Sequence, residues 1–155
     1  MLNWLPKKAD ISECLKVSYE RYSMKVSKVL IIDEQDNYLM MWRSDHPNFP
    51  NDPDLPGGTI EADESPEVAA VREVEEEAGI LITPLELTHL YTGTEYSTHQ
   101  TEYSLYMIKV PARPTVTISW EHSSYEWLPR DKFLNAAKNA SDTYMHMVHD
   151  VVTGL

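Results

Sequence analysis

The sequence predicts an α/β protein in which helices cover both faces of a mixed β-sheet, forming an α/β/α sandwich. Strand patterns lie on both sides of a central helical segment, and a second helical pattern ends the chain. The first strand pattern becomes continuously apolar, which indicates a strand covered on both of its faces. At 155 residues, the chain is expected to form a single domain, 1–155, with a core of ordinary size.

The first elements are an N-terminal extension and a β-hairpin. Residues 1–22 fit an amphipathic helix as well as a strand, and both alternatives stay open. Met24–Asp33 alternates between polar and apolar residues and then becomes apolar, which predicts a strand. Asp36-Asn37 supplies a turn, so that Tyr38–Arg43 is expected to return as the second arm of the hairpin.

A proline-rich loop and a clearly delimited helix follow. Ser44–Asp54 contains three prolines, which exclude a helix or a central strand and predict a surface loop beside the site. Ser65 is a good N-cap with Pro66 at the first helical position, and Gly79 should end the helix in the left-handed conformation. The face of this helix that should pack on the sheet consists of Ala70, Val71, Val74 and Ala78.

The second half of the chain predicts further strands and two helices. The strand candidates are Leu81–Thr94, Thr101–Val110, Thr115–Trp120 and Tyr125–Leu128. One helix should begin near Leu128, and the last should span Asp142–Val152 with a buried stripe of Met145, Val148 and Val152.

The strongly acidic composition limits the classes of partner. A net charge of −12 repels nucleic acid and anionic membranes, so a phosphate-containing substrate would need divalent cations to mediate its binding. No run approaches the ~18 apolar residues of a membrane span, and no signal-peptide pattern is present, so a cytoplasmic protein is expected. The single cysteine, Cys14, excludes an internal disulfide framework and should be a small buried apolar residue.

Three glutamates crowd the end of the predicted central helix. Glu73, Glu76 and Glu77 have i, i+3 and i+4 spacing and therefore share one helix face, where like charges repel. Carboxylates gathered in this way bind hard divalent ions such as Mg²⁺ or Mn²⁺. The competing interpretation is a solvated helix face.

These glutamates belong to a longer motif. The chain has Gly58, five residues, Glu64, seven residues, Arg72-Glu73-Val74, one residue, Glu76-Glu77, one residue and Gly79-Ile80. This motif resembles, residue for residue, the signature of the Nudix hydrolase family. The resemblance implies a Nudix-type sandwich and a metal-dependent pyrophosphohydrolase that uses Mg²⁺, with Mn²⁺ as an alternative.

The resemblance also implies roles for individual residues. The catalytic and metal-binding side chains would be those of Glu73, Glu76, Glu77 and Glu121, and the backbone carbonyl of Gly57 would be a further ligand. Glu126 competes with Glu121 for the place of the extra carboxylate, although its apolar neighbours suggest a strand. Residues expected to support the site are Gly58, Glu64, Arg72 and Gly79, with Glu64 and Arg72 forming a charge-assisted pair.

Contacts to the substrate are less well marked in the sequence. Arg43 would either grip a phosphate or form a surface ion pair. Phe49, Tyr91 and Tyr103 would either stack on a base or pack in the sheet. His46, His99 and His122 would either act in acid-base chemistry or as ligands, or be bystanders, and most of them are expected to be bystanders.

The resemblance leaves several substrates and functions open. The simplest is hydrolysis of a nucleoside triphosphate, modified or not, to a monophosphate and pyrophosphate by a monomer or homodimer. ADP-ribose, sugar nucleotides and dinucleoside polyphosphates are alternative substrates, since the motif organises the diphosphate and not the group attached to it. A non-catalytic nucleotide sensor would be expected to lose metal ligands, and an isoprenoid diphosphate isomerase would be expected to have a cysteine in the body of the fold.

Overall fold

A computed structural model of the chain describes residues 23–155. The expectations for the N-terminal extension and for Cys14 lie outside these residues. The strands are β1 (Lys25–Ile32), β2 (Asn37–Arg43), β3 (Pro53–Asp54), β4 (Gly57–Thr59), β5 (Thr88–Gly93), β6 (Glu102–Lys109) and β7 (His122–Pro129). The helices are α1 (Pro66–Ala78), α2 (Arg130–Lys138) and α3 (Tyr144–Thr153), and Pro84–Glu86 forms a short 3₁₀ turn.

The described strands form one mixed sheet with β1 near its centre. The main path runs β3-β2-β1-β6-β5, while β4 pairs with β1 and β7 pairs with β2. The pairing of β1 with β6 is parallel, and the other pairings are antiparallel. Every residue of β1 except Lys25 is buried, because both faces of this strand are covered.

Alternate residues of the central strands supply two separate cores. On one face, Val29 and Ile31 pack with the α1 residues Ala70, Val74 and Ala78. On the other face, a second core consists of Leu30, Ile32, Tyr38 and Met40 together with Phe133, Met145, Val148 and Val152 of α2 and α3. The predicted sandwich with a mixed sheet is therefore confirmed, as is the buried stripe of the last helix.

The central helix begins and ends where the sequence predicts. The Ser65 hydroxyl accepts a hydrogen bond from the backbone N–H of Val68 at 3.2 Å, which caps the first turn. Pro66 occupies the first helical position, where a backbone N–H is not needed. Gly79 has a φ of 66° and donates to the carbonyl of Glu75, so the chain leaves the helix in the left-handed conformation.

The prediction of a strand at Thr115–Trp120 is wrong. This segment has no regular structure and instead binds the end of α1, where helix carbonyls lack intrahelical partners. The N–H of Thr117 donates to Ala78 at 2.9 Å, and that of Ser119 donates to Glu77 at 3.2 Å. The segment therefore positions the residues that follow it beside α1.

Other boundaries differ from the predictions for local reasons. Pro84 cannot donate to a sheet ladder, so the first part of Leu81–Thr94 contains the 3₁₀ turn and only Thr88–Gly93 forms a strand. β7 begins at His122, earlier than predicted, and β3 and β4 are too short for a period-of-two pattern to mark them. Across residues 23–155, each helix is too short or too polar to cross a membrane.

Candidate functional site

A cavity of about 580 Å³ lies beside α1, the segment that leads into β7, and residues 55–59, which contain the glycine pair of β4 and are called the glycine loop below. Its size falls in the usual range for small-molecule sites. Its carboxylates are Asp54, Glu61, Glu73, Glu77, Glu121 and Asp142, whereas its lysine and arginine side chains are those of Lys28 and Arg43. Because six acids face two bases, the cavity by itself repels a polyanion.

The glycine pair brings the backbone directly against the acidic end of α1. Gly57 has a φ of 144°, and a Cβ there would lie 2.7 Å from the Cα of Lys28. A Cβ on Gly58 would lie 2.6 Å from a carboxylate oxygen of Glu73. The N–H of Gly57 donates to Glu77 Oε2 at 2.9 Å. Two of the three helix glutamates thus rest on the glycine loop.

The three glutamates of α1 have different surroundings. Glu77 is buried, and this burial, together with a hydrogen bond to Glu121, raises its pKa to about 9 against the attraction of Lys28. Glu73 is partly buried, and burial raises its pKa although Arg72 attracts the carboxylate at 2.8 Å. Glu76 is the exception, since its side chain is 58% exposed, binds Arg72 and does not line the cavity.

Arg72 ties the glycine loop to the helix. Its Nε and Nη2 donate to the two carboxylate oxygens of Glu64 at 2.7 and 3.0 Å, in the bidentate arrangement expected from the sequence. Nη2 also donates to the carbonyl of Thr59 at 3.1 Å. The two hydrogen bonds from Arg72 to Glu64, together with one from the Glu61 N–H, lower the pKa of Glu64 to about 2.

The candidates for an additional carboxylate occupy different places. Glu121 lines the cavity and hydrogen-bonds to Glu77. Glu126 is exposed within β7, opposite Met40 of β2, and does not line the cavity. Of the two, the fold therefore brings only Glu121 to the acidic end of α1.

Asp54 is the centre of a buried charge network that sequence reasoning missed. Its carboxylate accepts hydrogen bonds from Lys28 at 2.9 Å, from Arg43 Nη2 at 3.4 Å and from His122 Nε2 at 3.1 Å, as well as from the Tyr144 hydroxyl. Arg43 Nε also forms an ion pair with Asp54 at 3.2 Å. Burial favours the neutral acid, but these cations and donors hold the pKa of Asp54 well below its usual range. Asp54 is therefore an ionised carboxylate in the protein interior.

Lys28 connects this network to the glycine loop. Its ammonium donates to the carbonyls of Leu55 at 3.0 Å and Gly57 at 2.9 Å, besides its bond to Asp54. All three protons of the ammonium are thereby used. A lysine in the middle of the apolar β1 pattern was the one sequence signal for this arrangement, because an isolated lysine is rarely buried without partners.

Arg43 is neither a surface ion pair nor a free side chain, since it is only 6% exposed. Its guanidinium binds Asp54 and donates from Nη1 to Asp142 at 3.0 Å, and these carboxylates raise its pKa although burial opposes the charge. Asp52 holds Asp142 in place by accepting the backbone N–H groups of Ser141 and Asp142, each at 2.9 Å. The arginine is thus fixed in the cavity wall.

Only one of the three aromatic residues proposed for substrate binding lines the cavity. Tyr103 lies there and stacks on Tyr144 with ring centroids 5.3 Å apart. Phe49 instead stacks on His46 at 5.6 Å, and Tyr91 packs beside the core and hydrogen-bonds to Glu95. Neither lines the cavity.

Two of the histidines expected to be bystanders lie in the walls of the site. His46 lines the main cavity, and His122 is buried against Asp54. His99 is exposed and hydrogen-bonds to Thr98. The fold decides these positions, because His46 lies in the proline-rich loop and His122 begins β7.

The chemistry of the donors fits a hard cation, although the expected ligand set does not converge. Within residues 23–155, no three acidic, histidine or cysteine side chains are arranged closely enough to hold a metal ion. The buried Glu77 nevertheless lies beside the exposed Glu121, and burial, with a hydrogen bond between the two side chains, raises the pKa of Glu77. A divalent cation would relieve the same charge with oxygen ligands, which Mg²⁺ and Mn²⁺ prefer.

Comparison with known proteins gives a match to one family model. The model is described as the NUDIX domain and matches residues 23–148. This span includes all residues that line the main cavity. The matched region is thus the part of the chain that builds both the sheet and the site.

Individual proteins agree with the family model. A MutT-like protein of Streptomyces ambofaciens is 29% identical over 133 residues, which are 86% of this chain and 79% of that protein. The NUDIX domain of Shewanella oneidensis NrtR, complexed with ADP ribose, has a TM-score of 0.68 at 17% identity and covers 98% of this chain and 93% of its own. An Ap4A hydrolase of C. elegans has a TM-score of 0.63 at 22% identity and covers 83% and 93%. The two structures share the fold of this chain.

Proposed function

The chain belongs to the NUDIX family, whose members hydrolyse phosphoric anhydrides and generally depend on divalent metal ions, and from this premise we propose that it cleaves the diphosphate linkage of a nucleoside diphosphate derivative. The simplest substrate is a nucleoside triphosphate, modified or not, which would yield a monophosphate and pyrophosphate. ADP-ribose is the main alternative, because the NUDIX domain of NrtR is complexed with it and has the same fold.

The observation that carries this proposal is that Glu73, the buried Glu77 and the exposed Glu121 line one cavity beside the glycine loop. Burial raises the pKa of Glu77 to about 9, and a divalent cation bound beside it would stabilise the ionised carboxylate. The excess of acids over bases in the cavity has the same consequence, because a diphosphate enters such a cavity only together with cations. Metal and substrate binding should therefore depend on each other.

The proposed roles follow from the positions of the side chains. Glu73, Glu77 and Glu121 would hold the metal, with the second lone pair of the Gly57 carbonyl as a further ligand. Glu76, which binds Arg72 outside the cavity, would have to turn inward to join them. When bound, a divalent cation neutralises phosphate charge and lowers the pKa of a water ligand. The chain itself supplies a fixed wall, in which Lys28 and Arg43 present positive charge that their carboxylate partners hold in place. Attack of water on phosphorus would then break the bridging P–O bond.

The test is turnover of nucleoside triphosphates, ADP-ribose and sugar nucleotides with Mg²⁺, measured for the wild type and for Glu77→Gln. We expect the substitution to lower kcat at least about 100-fold, since the metal contributes several kcal/mol to catalysis. Glu75→Gln is the matched control, because Glu75 lies in the same helix, is exposed and does not line the cavity.

Two results would contradict the proposal. A Glu77→Gln protein that keeps the activity of the Glu75→Gln control would remove Glu77 from the metal site. If the wild type turns over no member of the panel but binds one tightly without metal, the chain is a nucleotide-binding module instead. Substitution of Glu121 and of Glu126 in parallel should raise the Mg²⁺ requirement for Glu121 alone.

A further inference from the structure

The guanidinium of Arg43 contacts two aromatic rings in the wall of the main cavity. Its Cζ lies 5.8 Å from the ring centroid of Phe49 and 5.7 Å from that of Tyr144, both within the ~6 Å of a cation–π contact. Phe49 belongs to the proline-rich loop and Tyr144 begins α3, so the two rings come from separate parts of the fold. Because a guanidinium is planar and stacks on aromatic faces, these contacts restrict its orientation.

Carboxylates hold the same guanidinium at its nitrogen atoms. Nη1 donates to Asp142 at 3.0 Å and Nη2 donates to Asp54 at 3.4 Å, while Nε forms an ion pair with Asp54. Each terminal nitrogen carries two N–H groups, so one N–H of Nη1 and one of Nη2 have no partner among residues 23–155. Arg43 lines both the main cavity and a smaller adjoining cavity of about 150 Å³. Its remaining N–H groups are therefore donors for a phosphate oxygen.

The proline-rich loop fixes the position of Phe49. The ring of His46 stacks on that of Phe49 with centroids 5.6 Å apart. Nδ1 of His46 accepts the backbone N–H groups of Asn48 at 3.2 Å and Phe49 at 3.0 Å, which ties both rings to one turn. The N–H of Asn51 donates to the carbonyl of Arg43 at 3.2 Å and joins the loop to the end of β2. The loop itself therefore presents the Phe49 ring to the guanidinium.

Phe49 acts on a ligand through another side chain, because it lines neither cavity. The lining residues whose side chains it contacts are Arg43 and His46. Of these two, Arg43 has the permanent positive charge and the N–H groups that suit a phosphate.

We propose that Phe49 is a positioning residue, which holds the guanidinium of Arg43 in the orientation that binds a phosphate group of the substrate. If the guanidinium leaves this orientation, only the remaining fraction of molecules binds phosphate well, and the apparent affinity falls by that fraction. The inference rests on the proposed function for the identity of the ligand as a diphosphate. It gives the proline-rich loop a task in phosphate binding and not in contact with a base.

Equilibrium binding of two analogues tests this role without turnover. Methylenebisphosphonate and the α,β-methylene analogue of ADP share a P–C–P group that water does not cleave, and only the second carries a base. In calorimetric titrations with Mg²⁺, Phe49→Leu should weaken both analogues about tenfold, which corresponds to loss of one partly desolvated cation–π contact. Phe49→Tyr keeps the aromatic face and should bind both analogues like the wild type.

Trp127→Leu is the matched control for loss of an aromatic ring beside a guanidinium. Trp127 contacts Arg113, whose Cζ lies 5.5 Å from the ring centroid, and neither residue lines the main or the smaller cavity. The affinity of both analogues should therefore stay unchanged. In wild-type protein labelled with ¹⁵N-arginine, NMR should show that methylenebisphosphonate shifts the guanidinium signals of Arg43.

Several results would overturn the proposal. Phe49→Leu could bind both analogues as tightly as Trp127→Leu does, or the wild type could bind neither analogue. Weaker binding of the ADP analogue alone would mean that the Phe49 ring stacks on the base. Phe49→Tyr could bind as weakly as Phe49→Leu, in which case the aromatic face is not the cause. Guanidinium signals of Arg43 that methylenebisphosphonate leaves unchanged would likewise reject the role.

These experiments separate the role of Phe49 from the hydrolase activity. If both analogues bind in a manner that depends on Phe49 but the protein turns over no nucleotide, the role is retained and the hydrolysis is rejected. Turnover of nucleotides with a KM that Phe49→Leu leaves unchanged would retain the hydrolysis and reject the role.

Discussion

Replacement of Asp54 by asparagine should destabilise the protein by about 3–5 kcal/mol, the usual cost of breaking a buried charge pair by removing one partner. The substitution keeps the shape of the side chain but leaves the buried Lys28 and Arg43 without the anion that they share. It also turns one carboxylate oxygen into an NH₂ donor, whereas both oxygens of Asp54 accept hydrogen bonds. The loss is a large part of the ~5–15 kcal/mol that stabilises an ordinary domain.

Urea denaturation at pH 7, followed by circular dichroism, measures this difference in the free energy of unfolding. Asp36→Asn is the matched control, because the ion pair of Asp36 with Lys109 at 3.4 Å is exposed and should contribute less than about 1 kcal/mol. If Asp54→Asn and Asp36→Asn have the same free energy of unfolding, Asp54 does not stabilise the buried network that it forms with Lys28 and Arg43.

The pH dependence of the same difference has a definite sign. The pKa of Asp54 is lower in the folded than in the unfolded protein, so its charge stabilises the fold fully above the unfolded pKa. This stabilisation is lost only as the pH falls through the much lower folded pKa. The titration of Asp54 itself should therefore add no pH dependence to the difference between the wild type and Asp54→Asn above the ordinary aspartate pKa of about 4. A change in this difference between pH ~5 and ~8 would come from the groups that contact or sense Asp54, namely His122 and Glu77.

Two further predictions concern the glycine loop and the far end of β1. Gly57→Ala should lower the free energy of unfolding by at least about 2 kcal/mol and abolish activity, because the left-handed backbone and the nearby Cα of Lys28 exclude a Cβ. Gly154→Ala is the control and should leave the free energy of unfolding nearly unchanged, because a Cβ there would have no atom closer than 3.5 Å. Arg113→Ala should raise the pKa of Asp33. In the wild type, burial raises this pKa, but hydrogen bonds from Arg113 and Asn37 outweigh burial and lower it to about 2. The lowered pKa of Asp33 stabilises the fold above pH ~4, and this stabilisation is lost as the pH falls toward ~2. Acid unfolding of Arg113→Ala should therefore begin at a higher pH than that of the wild type. Carboxyl ¹³C NMR should detect the raised pKa of Asp33. An unchanged Asp33 signal, or an active Gly57→Ala enzyme, would contradict these assignments.

The acidic cavity and its buried cations have separate tasks in this picture. Most of the N–H groups of Lys28 and Arg43 bind Asp54, Asp142 or backbone carbonyls. They therefore stabilise the wall and the glycine loop more than they offset the acids of α1. This division supports the proposal that the glutamates bind a divalent cation even though two basic residues line the same cavity.

Local rules in the sequence determined the central helix and its connection to the glycine loop. The N-cap at Ser65, the left-handed Gly79 and the pair of Glu64 with Arg72 depend on residues only a few positions apart. Their geometry follows from helix periodicity and backbone sterics, which neighbouring residues define. The sequence also indicated the two-sided burial of β1, because an apolar run of that length has few other interpretations.

Only the tertiary structure decided which distant side chains meet in the site. Asp54 joins Lys28 and Tyr144 across 26 and 90 positions of sequence, and Thr115–Trp120 leaves the sheet to bind the end of α1. It likewise brought Glu121 to Glu77 and left Glu76 in solvent, although all three look alike as acidic residues in the sequence. The physical reason is that these contacts depend on how separate helices and strands pack against each other. The sequence around each residue reports local periodicity and does not specify which distant residue it will meet.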